Sequence, residues 1–171
     1  MSASDDVRRD LSSPDLSTRI RGIRSLPNLR DPESVRLIEM IIDTDRSLAT
    51  RIEALTVLPD VVGLREYDQT CRILGTALRD SDTEIVRNAL LAIQRLPREL
   101  APAQLTDQLF QLLEAPDTDL QYHAVLALSR LRGRISSDTL RRRILPLAQH
   151  PNATLRETAE ATLGRIDAER Q

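Results

Sequence analysis

The chain has 171 residues, 24 basic and 26 acidic for a formal net charge of −2 at pH 7, and only 2% aromatic residues with no tryptophan. This length suits one domain or one short repeat array, and the near-balanced charge excludes a global field drawing the protein toward nucleic acid or a membrane. The lone Cys71 excludes an intramolecular disulfide and a cysteine-based zinc site, and all 24 basic residues are arginine, which excludes Schiff-base, pyridoxal and phosphate-loop lysine chemistry.

From the N-terminus, MSASDDVRRD opens with acids and no apolar stretch, and Val7 and Leu11 make only a thin first helical stripe. Leu16, Ile20, Ile23 and Leu26 then recur at helical spacing, ending at Leu26-Pro27. After Asp31-Pro32, Val35, Leu37-Ile38 and Ile41-Ile42 form a third stripe, and Leu48, Ile52, Leu55 and Leu58 a fourth, ending at Leu58-Pro59. The segments TRIRGIRSLPNL (18–29) and TRIEALTVLPDV (50–61) are therefore two copies of one unit. Tyr67, Cys71, Leu74 and Leu78 come next, followed across the carboxylate turn DSD (80–82) by Ile85, Ala89, Ile93 and Leu96.

Past Ala101-Pro102 the alternation continues with Leu105, Leu109 and Leu112-Leu113, then PDTD (116–119) as a capping turn, then Leu120, Ala124, Leu128 and Leu131. Leu140, Ile144 and Leu147 follow, with Pro146 expected to kink that helix, and after His150-Pro151 the last stripe is Leu155, Ala159, Leu163 and Ile166. The end-of-helix landmarks Leu26, Leu58, Leu96, Leu131 and Ile166 lie 32, 38, 35 and 35 residues apart, a period that signals a solenoid. No strand pattern interrupts them. The reading is an all-α, right-handed α-solenoid of about five antiparallel helix pairs in a single domain, with repeats at 4–29, 31–61, 65–97, 101–132 and 136–167. Each short pair must lean on its neighbours to bury its apolar face, so the same unit is written again.

LRETAEATLGRI (155–166) and EIVRNALLAIQRL (84–96) resemble HEAT repeats, in particular the phycobilisome-lyase-type HEAT-like repeats of bacteria. Gln121 stands where that pattern has arginine, and Gly22 where it has alanine. The resemblance implies a partner-binding scaffold whose second helices line a concave face. It also raises an accessory role in a tetrapyrrole lyase-like activity.

On the second helices the positions opposite the core stripe are polar at both ends of the array: Thr18, Arg21, Ser25, Thr50 and Glu53 early, Glu157 and Glu160 late. The middle differs. Arg87, Leu91 and Gln94 with Leu90 at the flank, then Tyr122, Leu126 and Ser129 with Val125 at the flank, form a candidate surface for a peptide or helix of another protein. Residues 99–129 hold five acids and no arginine, whereas Arg130, Arg132, Arg134, Arg141, Arg142 and Arg143 crowd into 130–143 as a candidate basic patch for nucleic acid. Cys71 lies within an apolar stripe, and Asp119 with His123 one turn later supplies two metal ligands where a site needs more. The expectation is a non-catalytic, cytoplasmic protein with no cofactor, no metal and no membrane partner. Self-association through the array ends is a further expectation.

Overall fold

The computed structural model describes residues 3–29 and 31–168. It is helical throughout: α1 (Ala3–Leu11), α2 (Leu16–Leu29), α3 (Glu33–Thr44), α4 (Leu48–Val61), α5 (Tyr67–Ala77), α6 (Thr83–Arg95), α7 (Thr106–Leu112), α8 (Thr118–Arg130), α9 (Ser137–Ile144) and α10 (Ala153–Ala168). Among the described residues there is no strand, only an isolated bridge between Arg132 and Ile135. The chain divides into two compact units, Met1–Ala92 and Ile93–Gln171. Residues 169–171, at the array end where self-association was an expectation, lie outside the described residues.

In the first unit α1 packs on α2, α2 on α4, and α3 on both α4 and α5. Its core is the expected stripes: Ile23, Leu26, Val35, Ile38, Leu55, Leu58 and Leu74 are all buried. Gly22 has a reason to lack a side chain. A Cβ there would stand 3.0 Å from Asp10 Cβ and 3.2 Å from Leu11, so α1 could not approach α2 as closely. Arg21 holds the same approach with two bonds to Asp10, at 3.0 and 3.2 Å.

The duplicated segment carries more than apolar residues. In α2, Arg19 donates to the carbonyls of Ser13 and Pro14 at 3.0 and 3.1 Å, while its Nε lies 3.3 Å from Asp45 in the turn before α4. In α4, Arg51 donates to the Ile42 carbonyl at 3.1 Å and pairs with Asp80 in the turn before α6. Each arginine therefore ties the turn of its own pair to the turn of the next. Asp45 and Asp80 in turn accept backbone N–H bonds from Ser47 and Asp82, at 2.8 and 2.9 Å.

Two helices run past their landmarks. α2 continues through Pro27 to Leu29, and α4 through Pro59 to Val61. In a last turn, proline forfeits one backbone bond without breaking a following helix. Leu16 and Leu48, which head their stripes in the sequence, are 40% and 38% exposed, and Thr50, assigned to the outer face, is fully buried with its hydroxyl on the Ser47 carbonyl at 2.8 Å.

In the second unit α7 packs on α8, α8 on α10, and α9 on α10. Leu109, Leu120, Ala124, Leu128, Leu131, Leu140, Ile144, Leu155, Ala159 and Ile166 are its core. Pro146 ends α9 rather than bending it, and the chain goes on as a 3-10 turn over Leu145–Gln149. The arginine of the duplicated segment has relatives here. Arg156 donates to the His150 carbonyl at 2.9 Å, and Gln121 to the Leu113 carbonyl at 3.0 Å. Gln121 thus keeps the carbonyl bond and drops the charge.

Asp80 makes the linkage to pH explicit. Burial alone would raise its carboxyl, but the Asp82 N–H and the Arg51 guanidinium outweigh it and hold the group below the usual carboxylate range. A carboxylate depressed in the folded state stabilises above its unfolded value, and that stabilisation is lost as pH falls through the folded value. Asp80→Asn is expected to cost about 1–3 kcal/mol near neutrality and to lose less stability than wild type on acidification, measured by urea unfolding from pH 7 to pH 3. At the turn after α8, Gly133 has φ +80° with nothing within 4 Å of a Cβ. Gly133→Ala is expected to cost about 1 kcal/mol through backbone strain alone, read as a lower denaturation midpoint with an unchanged slope.

Candidate functional site

The second helix of each pair was expected to present the binding face, and in the second unit that helix is α8, followed by α10. Asp117 starts α8 by accepting the N–H groups of Asp119 and Leu120, at 2.8 and 3.4 Å. This cap fixes the helix rotation. Leu120, Ala124, Ala127 and Leu128 turn inward, and Tyr122 and Leu126 are left half-buried on one side, one turn apart. The Tyr122 ring meets His123 edge-on, with centroids 5.0 Å apart and planes at 75°. His123 is itself held: the Gln94 amide donates to its carbonyl at 3.2 Å and lies 3.3 Å from Nδ1. Ser129 donates to the Leu126 carbonyl at 2.9 Å.

Beside Leu126 an open groove of about 230 Å³ is bounded by Glu157, Thr158, Ala161, Thr162 and Arg165 of α10. Its floor is apolar or hydroxylated, and its rim offers one acid and one arginine. Glu157 was on the sequence-derived face. Thr158, Ala161 and Arg165 were missed, because the periodicity of α10 marks what it buries and not what α8 leaves uncovered next to it.

The structure sorts the mid-array residues into three groups. Leu90 and Val125 are 0% exposed and belong to the core, which corrects their assignment to the surface. For Val125 the reason is visible: α8 packs on both α7 and α10, and so buries a wider arc than one stripe. Arg87 and Leu91 lie in the first unit, half-buried, with Arg87 paired to Glu84 of its own helix. Gln94, Tyr122, Leu126 and Ser129 lie together in the second unit.

The arginines of the basic patch are held by different partners. Arg130 donates to the Leu96 carbonyl at 2.6 Å, Arg132 to the Ser129 carbonyl at 3.0 Å, and Arg134 to the Ala101 and Glu99 carbonyls at 3.3 and 2.6 Å. These carbonyls sit at and after helix C-termini, which lack intrahelical partners and carry negative partial charge. On α9, Arg141 pairs with Asp167 at 3.1 Å, and Arg143 lies 5.0 Å over the Phe110 ring and 3.7 Å from Glu114. Arg142 is exposed.

Other chemistry-bearing residues are accounted for. Cys71 is buried, and burial pushes its thiol up, away from the reactive thiolate. His123 Nε2 lies 3.7 Å from Asp119, and no group of three metal-ligating side chains occurs among the described residues. No helix of the described residues is long and apolar enough to cross a membrane.

No family model matches this sequence, and no curated protein matches it. Solved structures do. An engineered protein is 17% identical with a TM-score of 0.71 over 97% of this chain and 80% of its own. The Escherichia coli protein YibA is 18% identical with a TM-score of 0.74, over 99% of this chain, which spans 62% of YibA. A computationally designed armadillo repeat protein for modular peptide recognition is 16% identical with a TM-score of 0.64, over 92% of this chain and 79% of the design. Likeness at such identities speaks to fold alone and does not single out the phycobilisome-lyase-type repeats. With the helix order described above, it establishes the chain as an all-α solenoid of the helical-repeat class.

Proposed function

We propose that the protein is a non-catalytic interaction scaffold of HEAT-like repeats that holds a segment of another protein against the second-helix face of α8 and α10. One observation carries this reading: Tyr122 and Leu126 stay half-uncovered one turn apart on a capped helix, and Leu126 lines a groove with Glu157 and Arg165. An aliphatic side chain at a shallow groove with an amphipathic tyrosine one turn away suits an apolar anchor, and the flanking charges suit register rather than affinity. The designed armadillo repeat protein for modular peptide recognition supports a peptide as the kind of partner. Leu90 and Val125 have no part in it.

Affinity capture from the native cell with quantitative mass spectrometry tests this. Leu126→Glu and Tyr122→Ala are expected to keep the helical circular dichroism of wild type and to reduce recovery of the principal partner by about tenfold or more, the effect of losing an interface hot spot. Recovery equal to wild type from both folded variants contradicts the assignment.

A further inference from the structure

Within the second unit, the end of α8 with the turn after it and the 3-10 turn Arg98–Leu100 bound a second cavity, of about 390 Å³, lined by Arg98, Glu99, Arg130, Arg132, Gly133 and Arg134. Arg98 was not part of the sequence-derived patch. It enters because its Nη2 donates to the Arg132 carbonyl at 3.3 Å. Every bond described for Arg98, Arg130 and Arg134 ends on a backbone carbonyl. Carbonyls orient a guanidinium but do not neutralise it, and Glu99 is the one acid on the lining. Arg98, Arg130 and Arg134 are therefore three cations on one lining whose described partners are carbonyls and not carboxylates, an arrangement that favours an entering anion.

The bonds also preorganise the cavity. A guanidinium has five N–H donors, of which Arg98 spends one on a carbonyl and Arg134 two, leaving others for a ligand. Gly133 presents bare backbone between Arg132 and Arg134, where a Cβ would meet nothing within 4 Å. A single carboxylate would satisfy one arginine fork. A phosphoryl group brings a charge near −2 and three acceptor oxygens, which answers several forks at once.

We propose that this cavity binds a phosphorylated serine or threonine on a segment of a partner protein. Arg98, Glu99, Gly133 and Arg134 are exposed, so the cavity cannot enclose a small phosphate compound, and the surrounding peptide must supply the rest of the contact. Nucleic acid fits less well. The arginines make a compact cluster and not a track, since Arg141 and Arg143 are engaged by Asp167 and Glu114, and no aromatic side chain lines the cavity to stack on bases. The site is separate from the α8–α10 groove and does not depend on that groove having a partner.

The test uses the intact chain and fluorescence anisotropy with a degenerate nonapeptide pool carrying a fixed central phosphoserine, against the same pool with serine. The phosphoserine pool is expected to bind at least about tenfold tighter, weakening as salt rises from 50 to 300 mM. The Arg98→Gln/Arg134→Gln variant keeps amide donors for the carbonyls and loses two charges; it is expected to lower that affinity by about tenfold or more. Leu126→Glu is expected to leave it unchanged. If the double variant unfolds, Arg98→Gln alone must lower affinity by about threefold or more, and wild-type affinity in it overturns the site. Equal binding of the two pools, or binding of neither, overturns the proposal. So does inorganic pyrophosphate binding as tightly as the phosphoserine pool, or a 20-nucleotide single strand binding more tightly than it.

Discussion

An arginine that reaches out of one helix pair into the turn of the next is the constraint on which the first unit depends. Arg19 and Arg51 each satisfy carbonyls at the turn inside their own pair and meet an aspartate, Asp45 or Asp80, at the turn of the following pair. The two acts belong together. Helix ends leave backbone groups unpaired, and a short pair cannot cover them with its own side chains. A planar fork spans a carbonyl and a carboxylate at once, which a lysine ammonium on a flexible stem does with less geometric control. Because the aspartate also accepts a backbone N–H at the start of the next second helix, the link sets where that helix begins. Apolar burial supplies most of the stabilisation, and the charged link supplies register.

The second unit uses the same chemistry with different parts. Gln121 and Arg156 repeat the bond to the carbonyl of the preceding turn without the aspartate partner. Arg130 and Arg134 extend it to the carbonyls of Leu96, Ala101 and Glu99. The crowd of arginines at 130–134 is thus first a structural device at helix ends. Arg130 and Arg134 are oriented there by carbonyls, which hold a guanidinium without neutralising it.

Helical order and the spacing of pairs were legible because apolar residues at Leu120, Ala124, Leu128 and Leu131, or Leu155, Ala159, Leu163 and Ile166, repeat with the period of a helix and little else could bury them. Rotation was less legible. Leu90 and Val125 sit beside the stripe, and only packing from neighbouring helices decides that they are core; Leu16 and Leu48 sit on the stripe yet fall at helix starts, where the neighbour no longer reaches. Thr50 resembles a surface residue until its hydroxyl finds the Ser47 carbonyl. The half-buried positions of Tyr122 and Leu126 were readable from their place opposite the stripe, whereas the placement of Arg165 beside Leu126 and of Arg98 at the Arg132 carbonyl was not, because each depends on an element distant in sequence. The departures Gly22 and Gln121 were visible as oddities and became intelligible only with the close approach of α1 and the Leu113 carbonyl in view.

A double-mutant cycle on Arg51→Gln and Asp80→Asn, read by urea unfolding at pH 7, bears most directly on the turn-to-turn link. A link between the two turns gives a coupling free energy of about 1 kcal/mol or more between the two sites, as for a partly buried charge-assisted bond. Additive losses, with coupling near zero, would contradict it and leave apolar packing as the sole source of register.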